Sequence, residues 1–317
     1  MKRVYSRGEE VQFVSKANID LYQEVTNKII SMLDSGVAPW RSPWNSYGLA
    51  RNYVSGHIYR GINYILMNFS GHIIPYFLSF KQIKELGAVL KSGAKAEKVV
   101  YFNLVYKNLE GHRLSEMEAQ ALIKDKVKID VSRFIKYYPV FNIEYVEGIS
   151  VEIQDFELSP NEKIKSCEDL VENMPNRPAI KFIDSDHAYY LPSKDFINMP
   201  MLEQFQSSFA YYACLFHELA HSTGHKSRLN REGIVNSETF GSVVYSTEEL
   251  IAELGSSYLC SIAQIDNDTL MQRSASYLND WLRVLKEDNR FIFKVASQAH
   301  KAVDYILGNE NQKLLAK

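Results

Sequence analysis

The segment with the clearest catalytic potential is HELAH, at residues 217–221, where two histidines stand four positions apart. On an α-helix this spacing places both imidazole rings on one face, so that His217 and His221 can bind the same cation. Glu218 can accept a proton from a hydrolytic water without binding the metal. Because the surrounding segment is apolar, burying these polar groups without partners would be unfavourable. The motif therefore predicts a Zn²⁺ site, and a site of this composition also accepts Mn²⁺ or Co²⁺.

A catalytic zinc ion requires a third protein ligand. The metzincin pattern needs a histidine ten positions after the first, and it is excluded because that position is Ser227. In STEELIAELGSS, Glu249 and Glu253 are four residues apart and share one helical face. Their spacing resembles that of gluzincins, which implies that Glu249 binds the metal and Glu253 orients a ligand histidine. The opposite assignment stays open, as does a capping box in which Ser246 ties Glu249 to the backbone.

Two further residues are candidates for the substrate cleft beside this motif. His225 follows Gly224, where the helix is expected to end, and Tyr245 directly precedes the acidic segment. Either side chain could stabilise the oxyanion that forms when a peptide carbonyl is attacked. His225 could instead cap the end of its own helix.

A second region with chemical potential is the aromatic and basic segment 38–69, which contains two Trp, four Tyr and three Arg. Single-stranded DNA binds where bases stack on aromatic rings and cations follow the phosphates. The candidate DNA-binding residues are Trp40, Arg41, Trp44, Arg51, Tyr53, Tyr59 and Arg60. The alternative is that Trp40 and Trp44 are core residues, as large aromatic side chains usually are.

The elements that must position these residues follow from periodicity and turn signals. Helices are expected at 18–35, 79–92, 204–222 and 246–263 and along the C-terminal part, and strands at 99–106 and 137–149. The proline-containing stretch 151–180 is interpreted as a hinge. We therefore predict an α+β protein of two domains, 1–150 and 151–317, the second mostly helical.

Charge and cysteine usage narrow the functional class. Residues 1–150 carry a net charge of +6 and the remainder −8, which favours nucleic-acid contact through the first half. The three cysteines form no Cys-x-x-Cys pair, so neither a disulfide framework nor a thiolate zinc site is indicated. Neither a signal peptide nor an apolar run of membrane-spanning length is visible. We expect a cytoplasmic protein without a membrane partner.

The motifs together resemble the antirestriction protein ArdC family. The resemblance rests on FHELAHSTGHKSRLNR, FGSVVYSTEELIAELGSSYLCS and WLRVLKEDNRFIFKVASQAHKAVDYILG in the second half. In the first half it rests on YQEVTNKIISMLDSGVAPWRSPW, NYVSGHIYRGINYILMNF, FKQIKELGAVLKSGAKAEKVVYF and VFNIEYVEGI. The blocks occur in order along most of the chain, and the tract 107–136 is the main part without a match.

This resemblance implies an N-terminal domain that binds single-stranded DNA and a C-terminal zincin-like metallopeptidase domain. Such proteins are carried by plasmids and other mobile elements and protect incoming DNA from restriction. The family implies that His217 and His221 are metal ligands, Glu218 the catalytic base and Glu249 the third ligand. The alternative function is a non-enzymatic protein that coats single-stranded DNA and uses the metal only for structure. The sequence does not identify a peptide substrate.

Overall fold

The computed structural model describes residues 20–36, 38–40, 48–68, 70–150, 160–183, 186–236, 242–265 and 277–311. Within these ranges the helices are α1 (Leu21–Asp34), α2 (Ile62–Asn68), α3 (Phe80–Glu85), α4 (Glu116–Lys124), α5 (Pro160–Glu172), α6 (Ser208–Ser222), α7 (Glu232–Val235), α8 (Val243–Ala263), α9 (Leu278–Glu287) and α10 (Phe291–Asn311). The strands are β1 (Arg51–Asn52), β2 (Tyr76–Leu78), β3 (Val89–Leu90), β4 (Ala96–Lys107), β5 (Arg113–Leu114), β6 (Asp130–Asn142), β7 (Val146–Glu147), β8 (Ala179–Lys181), β9 (Tyr189–Leu191) and β10 (Phe196–Asn198).

The N-terminal half is organised around a five-stranded sheet of order β1-β2-β6-β4-β5. Its centre is a long antiparallel ribbon, in which β4 and β6 pair from Ala96 opposite Phe141 to Lys107 opposite Asp130. Helix α2 is fastened to this ribbon through Asn63, whose side chain donates to the carbonyl of Val100 and accepts from its amide, both at 2.7 Å. The ribbon therefore forms the centre of the sheet and the support for α2.

The C-terminal half is built on helices α6 and α8, with a three-stranded sheet of order β8-β10-β9 beside α6. The two helices approach closely because α8 carries Gly255 at the crossing. A methyl group added at Gly255 would lie 3.1 Å from the Cβ of Ala220 on α6. Ser256 also donates a hydrogen bond of 2.8 Å to the carbonyl of Ala213. This close packing lets polar side chains of both helices converge.

The two halves share a continuous hydrophobic core. Trp40 packs edge-on against Trp281 of α9, with ring centroids 5.5 Å apart. Thr26 of α1 is fully buried and donates to the carbonyl of Asn289 at 2.9 Å. The protein is thus an α+β fold of two domains whose apolar surfaces pack together.

The structure corrects several element boundaries. The helix expected at 79–92 begins after the predicted cap Ser79 but ends at Glu85, because Gly87 adopts a left-handed conformation (φ +69°) and the chain then enters β3. The stretch interpreted as a hinge contains α5, and Cys167 on this helix is fully buried. Residues 151–159, where the predicted domain boundary falls, lie outside the described residues.

The tract 107–136 combines β5, α4 and the beginning of β6. Helix α4 starts at a capping box, in which the Ser115 hydroxyl accepts from the Glu118 amide and the Glu118 carboxylate accepts from Ser115. Strand β6 begins at Asp130, before the predicted start. Across the described residues we find no helix with the length and hydrophobicity required to cross a membrane.

Candidate metal centre

Helix α6 places the two motif histidines side by side. Its first turn is capped by Ser207, whose hydroxyl accepts a hydrogen bond of 3.1 Å from the amide of Ala210. One helical turn separates His217 from His221, and their Nε2 atoms lie 3.1 Å apart. Both Nε2 atoms face the same small volume, as the four-residue spacing predicts.

Helix α8 supplies a carboxylate to the same volume. The Oε2 atom of Glu249 lies 3.6 Å from Nε2 of His217, and its Oε1 atom lies 3.5 Å from Nε2 of His221. The alternative capping box between Ser246 and Glu249 is not formed, because α8 begins earlier and is capped by Ser242. Glu249 is therefore oriented toward the histidines rather than toward the backbone.

The three residues fit a divalent metal ion in donor type and spacing. One donor atom from each of His217, His221 and Glu249 lies within 4.8 Å of the others. A tetrahedral zinc ion about 2.0–2.1 Å from its ligands would keep their donor atoms about 3.3 Å apart. Two imidazoles and a carboxylate are a ligand set used by zinc hydrolases. The cluster could therefore hold a metal without rearrangement of the helices.

The electrostatics of the cluster favour a cation. Burial by itself lowers the pKa of His221, but the neighbouring carboxylates of Glu249, Glu248 and Glu218 outweigh burial and raise it to about 9. Burial raises the pKa of Glu249, but the two histidines outweigh this effect and lower it to about 2. The carboxylates thus create a site that attracts positive charge, whether a proton or a metal ion.

Two carboxylates approach the ring nitrogens that face away from the cluster. Oε2 of Glu253 lies 3.9 Å from Nδ1 of His217, a buried atom without a hydrogen bond. Oε1 of Glu248 lies 3.4 Å from Nδ1 of His221. Sequence reasoning found Glu253 but missed Glu248. The sequence signal for Glu248 is the Glu-Glu pair at 248–249. Side chains of adjacent helical residues point about 100° apart, so the pair does not show which glutamate faces the histidines.

The other residues expected near the metal occupy distinct positions. Glu218 is buried, with 4% of its surface exposed, and is close enough to influence the pKa of His221. The Tyr245 hydroxyl hydrogen-bonds the carboxylate of Glu249 and lies 3.3 Å from the hydroxyl of Tyr277. Burial, followed by the contacts with Tyr277 and Glu249, raises the pKa of Tyr245, which therefore stays protonated.

His225 belongs to a neighbouring cluster on the loop after α6. Its Nδ1 atom lies 2.7 Å from the hydroxyl of Ser227 and 4.0 Å from a carboxylate oxygen of Asp195. Among the described residues, the group of candidate metal ligands contains His217, His221 and Glu249, and His225 is not part of it.

Two of the aromatic residues expected to bind DNA are core residues. Trp40 is 1% exposed and Tyr59 is 2% exposed. Tyr59 packs edge-on against Phe77 of β2, with ring centroids 5.9 Å apart. A ring buried to this degree cannot stack on a base in this conformation, so the expectation of an exposed stacking surface is wrong for Trp40 and Tyr59. The alternative interpretation of Trp40 as a core residue describes it correctly.

The remaining candidates of that segment are partly accessible. Arg51 and Tyr53 are half-buried, and the Tyr53 ring packs edge-on against Tyr76. Arg60 is exposed and forms an ion pair with Asp304 of α10. Arg41 and Trp44 lie outside the described residues.

Exposed aromatic rings occur instead on the β4–β6 ribbon, and two of them lie close together on one of its faces. Tyr101 and Tyr138 are each 40% exposed, and their ring centroids are 5.9 Å apart. Lys136 is directly opposite Tyr101, and Val99 is opposite Tyr138. Directly paired residues project from the same face of an antiparallel ribbon, so the two tyrosines and Lys136 share one surface. The sequence contains these residues, but it does not show that β4 pairs with β6. This pairing is what places them on one surface.

Comparison with known proteins identifies a known domain family in each half of the chain. Residues 19–141 match the N-terminal domain of the anti-restriction factor ArdC, and residues 168–298 match a zincin-like metallopeptidase domain. A crystal structure of the antirestriction ArdC protein from the R388 plasmid, free of metal, superimposes with a TM-score of 0.74 at 32% identity. The match covers 93% of this chain and 99% of that one. The chain therefore belongs to the ArdC antirestriction family.

Other relatives extend this picture. The Mn(II)-bound structure of the R388 protein matches with a TM-score of 0.70 at 32% identity, over 92% of this chain and 98% of that one. The DNA primase TraC of Escherichia coli is 31% identical over 92% of this chain, which spans 27% of that primase. The y4eC protein of Sinorhizobium fredii is 29% identical over 90% of this chain and 91% of its own length.

Proposed function

We propose that the C-terminal domain is a metal-dependent peptidase of the gluzincin type. The observation that carries this proposal is the convergence of His217 and His221 from α6 with Glu249 from α8, next to the buried carboxylate of Glu218. A structural metal site would not need Glu218, whereas hydrolysis requires a base. Zn²⁺ is the expected ion, and Mn²⁺ or Co²⁺ would suit the same donors.

Each residue has a distinct role in this proposal. His217, His221 and Glu249 hold the ion, which when bound polarises a carbonyl oxygen and lowers the pKa of water. Glu218 accepts a proton from the attacking water and returns it to the leaving amine. Tyr245, whose protonated hydroxyl lies next to Glu249, would turn its single O–H from that carboxylate to donate a hydrogen bond to the developing oxyanion. Glu253 restrains the ring of His217 through Nδ1.

The edge strand β9 provides a way to align a peptide substrate. The sheet order β8-β10-β9 leaves one side of β9 without a strand partner among the described residues, and β9 contacts α6. An extended peptide can add to such an edge through main-chain hydrogen bonds. We therefore propose that the substrate is an extended protein segment that lies between β9 and the metal centre.

The test of peptidase function compares the proteins of recipient cells that express the parent chain or Glu218→Gln. New protein N-termini that require Glu218 are the expected result, because loss of a general base typically slows a reaction by about 10²–10⁴-fold. Glu232→Gln, at an exposed glutamate on α7, is the matched control and should cut as the parent does. Identical sets of N-termini in the Glu218→Gln and parent cells would contradict enzymatic function.

We also propose that the N-terminal domain binds single-stranded DNA through an exposed patch on one face of the β4–β6 ribbon, which we call the ribbon face (Tyr101, Lys136 and Tyr138). Its two tyrosines offer stacking surfaces to bases, and Lys136 offers a cation to phosphate. Stacking is tolerant of sequence because every base has a π-face. This surface replaces Trp40 and Tyr59 in the DNA-binding hypothesis.

Oligonucleotide titrations of the full chain test the ribbon face. Each of Tyr101→Ala and Tyr138→Ala should weaken binding of a mixed-sequence single strand by about 1–3 kcal/mol. Lys136→Ala should reduce the slope of log affinity against log salt by about 0.7, the value for one phosphate contact on a single strand. Phe80→Ala removes an aromatic ring that is 47% exposed on α3, and it should bind as the parent does. Equal losses in all four variants would contradict a localised surface.

We propose that the two activities are separable in antirestriction, with the coating of single strands protecting DNA in the cytoplasm of the recipient. A DNA-transfer assay in restricting and non-restricting recipients tests this separation. Glu218→Gln should protect as well as the parent, while Tyr101→Ala/Tyr138→Ala should not. Failure of both variants in the restricting host alone would show that protection requires both activities.

A further inference from the structure

A buried ion pair behind the metal centre has no role in the proposed reaction. Arg231, at the start of α7, contacts Glu248 of α8 with two nitrogens: Nε lies 2.9 Å from Oε2 and Nη2 lies 2.5 Å from Oε1. The exposed fractions of the two side chains are 6% and 5%. Removing charges of this kind from water is unfavourable unless every donor finds an acceptor. Their burial therefore requires an explanation.

The remaining donors of Arg231 end at the last turn of α6, the helix that carries both histidines. Nη2 donates to the carbonyl of Ala220 at 2.8 Å, and Nη1 donates to the hydroxyl of Thr223 at 2.6 Å. The last carbonyl groups of a helix have no partner within the helix, and a positive charge there is favourable. Arg231 thus connects the end of α6 with a carboxylate on α8.

Glu248 completes the connection to the metal ligands. The Oε1 atom that accepts from Arg231 also lies 3.4 Å from Nδ1 of His221. The other nitrogen of this ring, Nε2, faces Glu249 at 3.5 Å. Consecutive residues of α8 therefore face the two nitrogens of the His221 ring. Glu249, a candidate metal ligand, faces Nε2, and Glu248 lies at Nδ1.

We infer that Arg231 and Glu248 form a positioning pair that fixes the ring orientation and tautomer of His221 for metal binding. Nδ1–H of His221 donates to the Glu248 carboxylate, so that Nε2 presents its lone pair to the ion. Arg231 holds the carboxylate with a bidentate contact that lysine cannot reproduce. The inference rests on the proposed metal site.

The two histidines are supported unequally. Behind the ring of His217, a carboxylate oxygen of Glu253 lies 3.9 Å from Nδ1. His221 is held at 3.4 Å by a carboxylate that is itself anchored to the end of the ligand helix. We therefore expect the pair to affect metal affinity through His221, in addition to its effect on stability.

The test replaces both partners at once. Arg231→Met/Glu248→Leu leaves the net charge unchanged and leaves no buried charge unpaired, whereas removing one partner of a buried pair typically destabilises a protein by about 3–5 kcal/mol. The dissociation constant of the full chain for Zn²⁺ should rise by about 10–100-fold, the usual effect of losing the partner of a ligand histidine. The visible absorption bands of the Co²⁺-substituted double variant should also shift, because the His221 ring is no longer fixed.

A second ion pair on the same loop supplies the matched control. Arg228 donates from Nε to the carbonyl of Ser222 at 2.7 Å and from Nη1 to Asp195 at 3.1 Å, so it also joins the end of α6 to an acid. Among the described residues, Asp195 forms no hydrogen bond or ion pair with His217 or His221. Arg228→Met/Asp195→Leu should lower the melting temperature yet keep the parent affinity for Zn²⁺.

The outcomes separate positioning from simple stabilisation. Unchanged Zn²⁺ affinity in a folded Arg231→Met/Glu248→Leu variant would overturn the inference, and so would equal losses in both double variants. If the double variant does not fold, Glu248→Gln decides, since it keeps the side-chain shape but removes the charge that holds the Nδ1 proton; parent affinity in Glu248→Gln would then overturn the inference. His217→Ala is titrated in parallel, because undiminished binding there would instead contradict the metal site itself.

Discussion

The metal centre and the ribbon face place polar chemistry in opposite environments. At the metal centre, His221, Glu248 and Glu253 are at least nine-tenths buried, and each depends on a partner from another helix. On the ribbon face, the side chains of Tyr101 and Tyr138 are exposed, and the strands that carry them pair through their main chains. Substitutions at the first site should therefore perturb the whole cluster, whereas substitutions on the ribbon face should weaken binding and leave the fold intact.

The largest effect is expected for the histidines. His217→Ala or His221→Ala should reduce bound metal from about one ion per chain to almost none, because a zinc site with two protein ligands is incomplete. Elemental analysis after gel filtration measures this loss. His225→Ala is the control and should keep its metal, since His225 lies outside the donor group. Full metal content in both His217→Ala and His221→Ala would rule out the site.

The next effect tests burial of the aromatic rings. Trp40→Ala should destabilise the folded chain by about 3–5 kcal/mol, because it leaves a cavity against Trp281. Tyr101→Ala, on the ribbon face, should change stability by less than about 0.5 kcal/mol. Denaturant titrations of both variants provide the measurement. A Trp40→Ala chain that is as stable as the parent but loses affinity for single strands would reverse the roles assigned to the two aromatic groups.

A smaller effect should distinguish the two glutamates of α8 that the sequence left unresolved. Glu253→Gln should weaken Zn²⁺ binding by about 10–100-fold, as expected for a residue that orients a ligand. Glu249→Gln should weaken binding more, because it removes a donor that lies 3.5–3.6 Å from both Nε2 atoms. Competition with a chromophoric chelator measures both constants. The reverse order of the two losses would make Glu253 the ligand.

The smallest effect is expected for Arg60. Its ion pair with Asp304 joins the two halves but is solvent-exposed, so Arg60→Ala should reduce stability by no more than about 1 kcal/mol. The salt dependence of single-strand binding should stay as in the parent, because the guanidinium is engaged by Asp304. A decrease of about 0.7 in that slope would return Arg60 to the DNA-binding surface.

The residues of the candidate metal centre could be predicted from the sequence because their pattern is local. The four-residue spacing of His217 and His221 specifies one helical face, and the same rule relates Glu249 to Glu253. Glu248 and Arg231 were missed because their contact crosses from one helix to another, and local periodicity carries no information about such a pairing. Tertiary packing decided which of the adjacent glutamates faces the Nε2 atoms of the two histidines.

The exposed aromatic residues of the N-terminal half were predicted less well for a related reason. Aromatic residues occur both in protein cores and on nucleic-acid-binding surfaces, so the residue type of Trp40 does not decide between the two. The long strands β4 and β6 were recognised in part, but their mutual register was not, and that register brings Lys136 opposite Tyr101. Periodicity alone extends α3 beyond Glu85, because it does not reveal the left-handed Gly87 that follows the helix.

The most direct test of the account is the position of the bound metal. Crystals of the full chain soaked in Zn²⁺ should show an anomalous diffraction peak about 2.0–2.2 Å from Nε2 of His217, Nε2 of His221 and a carboxylate oxygen of Glu249. Glu218 should lie beside this ion without binding it. A peak bound by Glu253 in place of Glu249, or located at His225 and Asp195, would contradict the proposed centre.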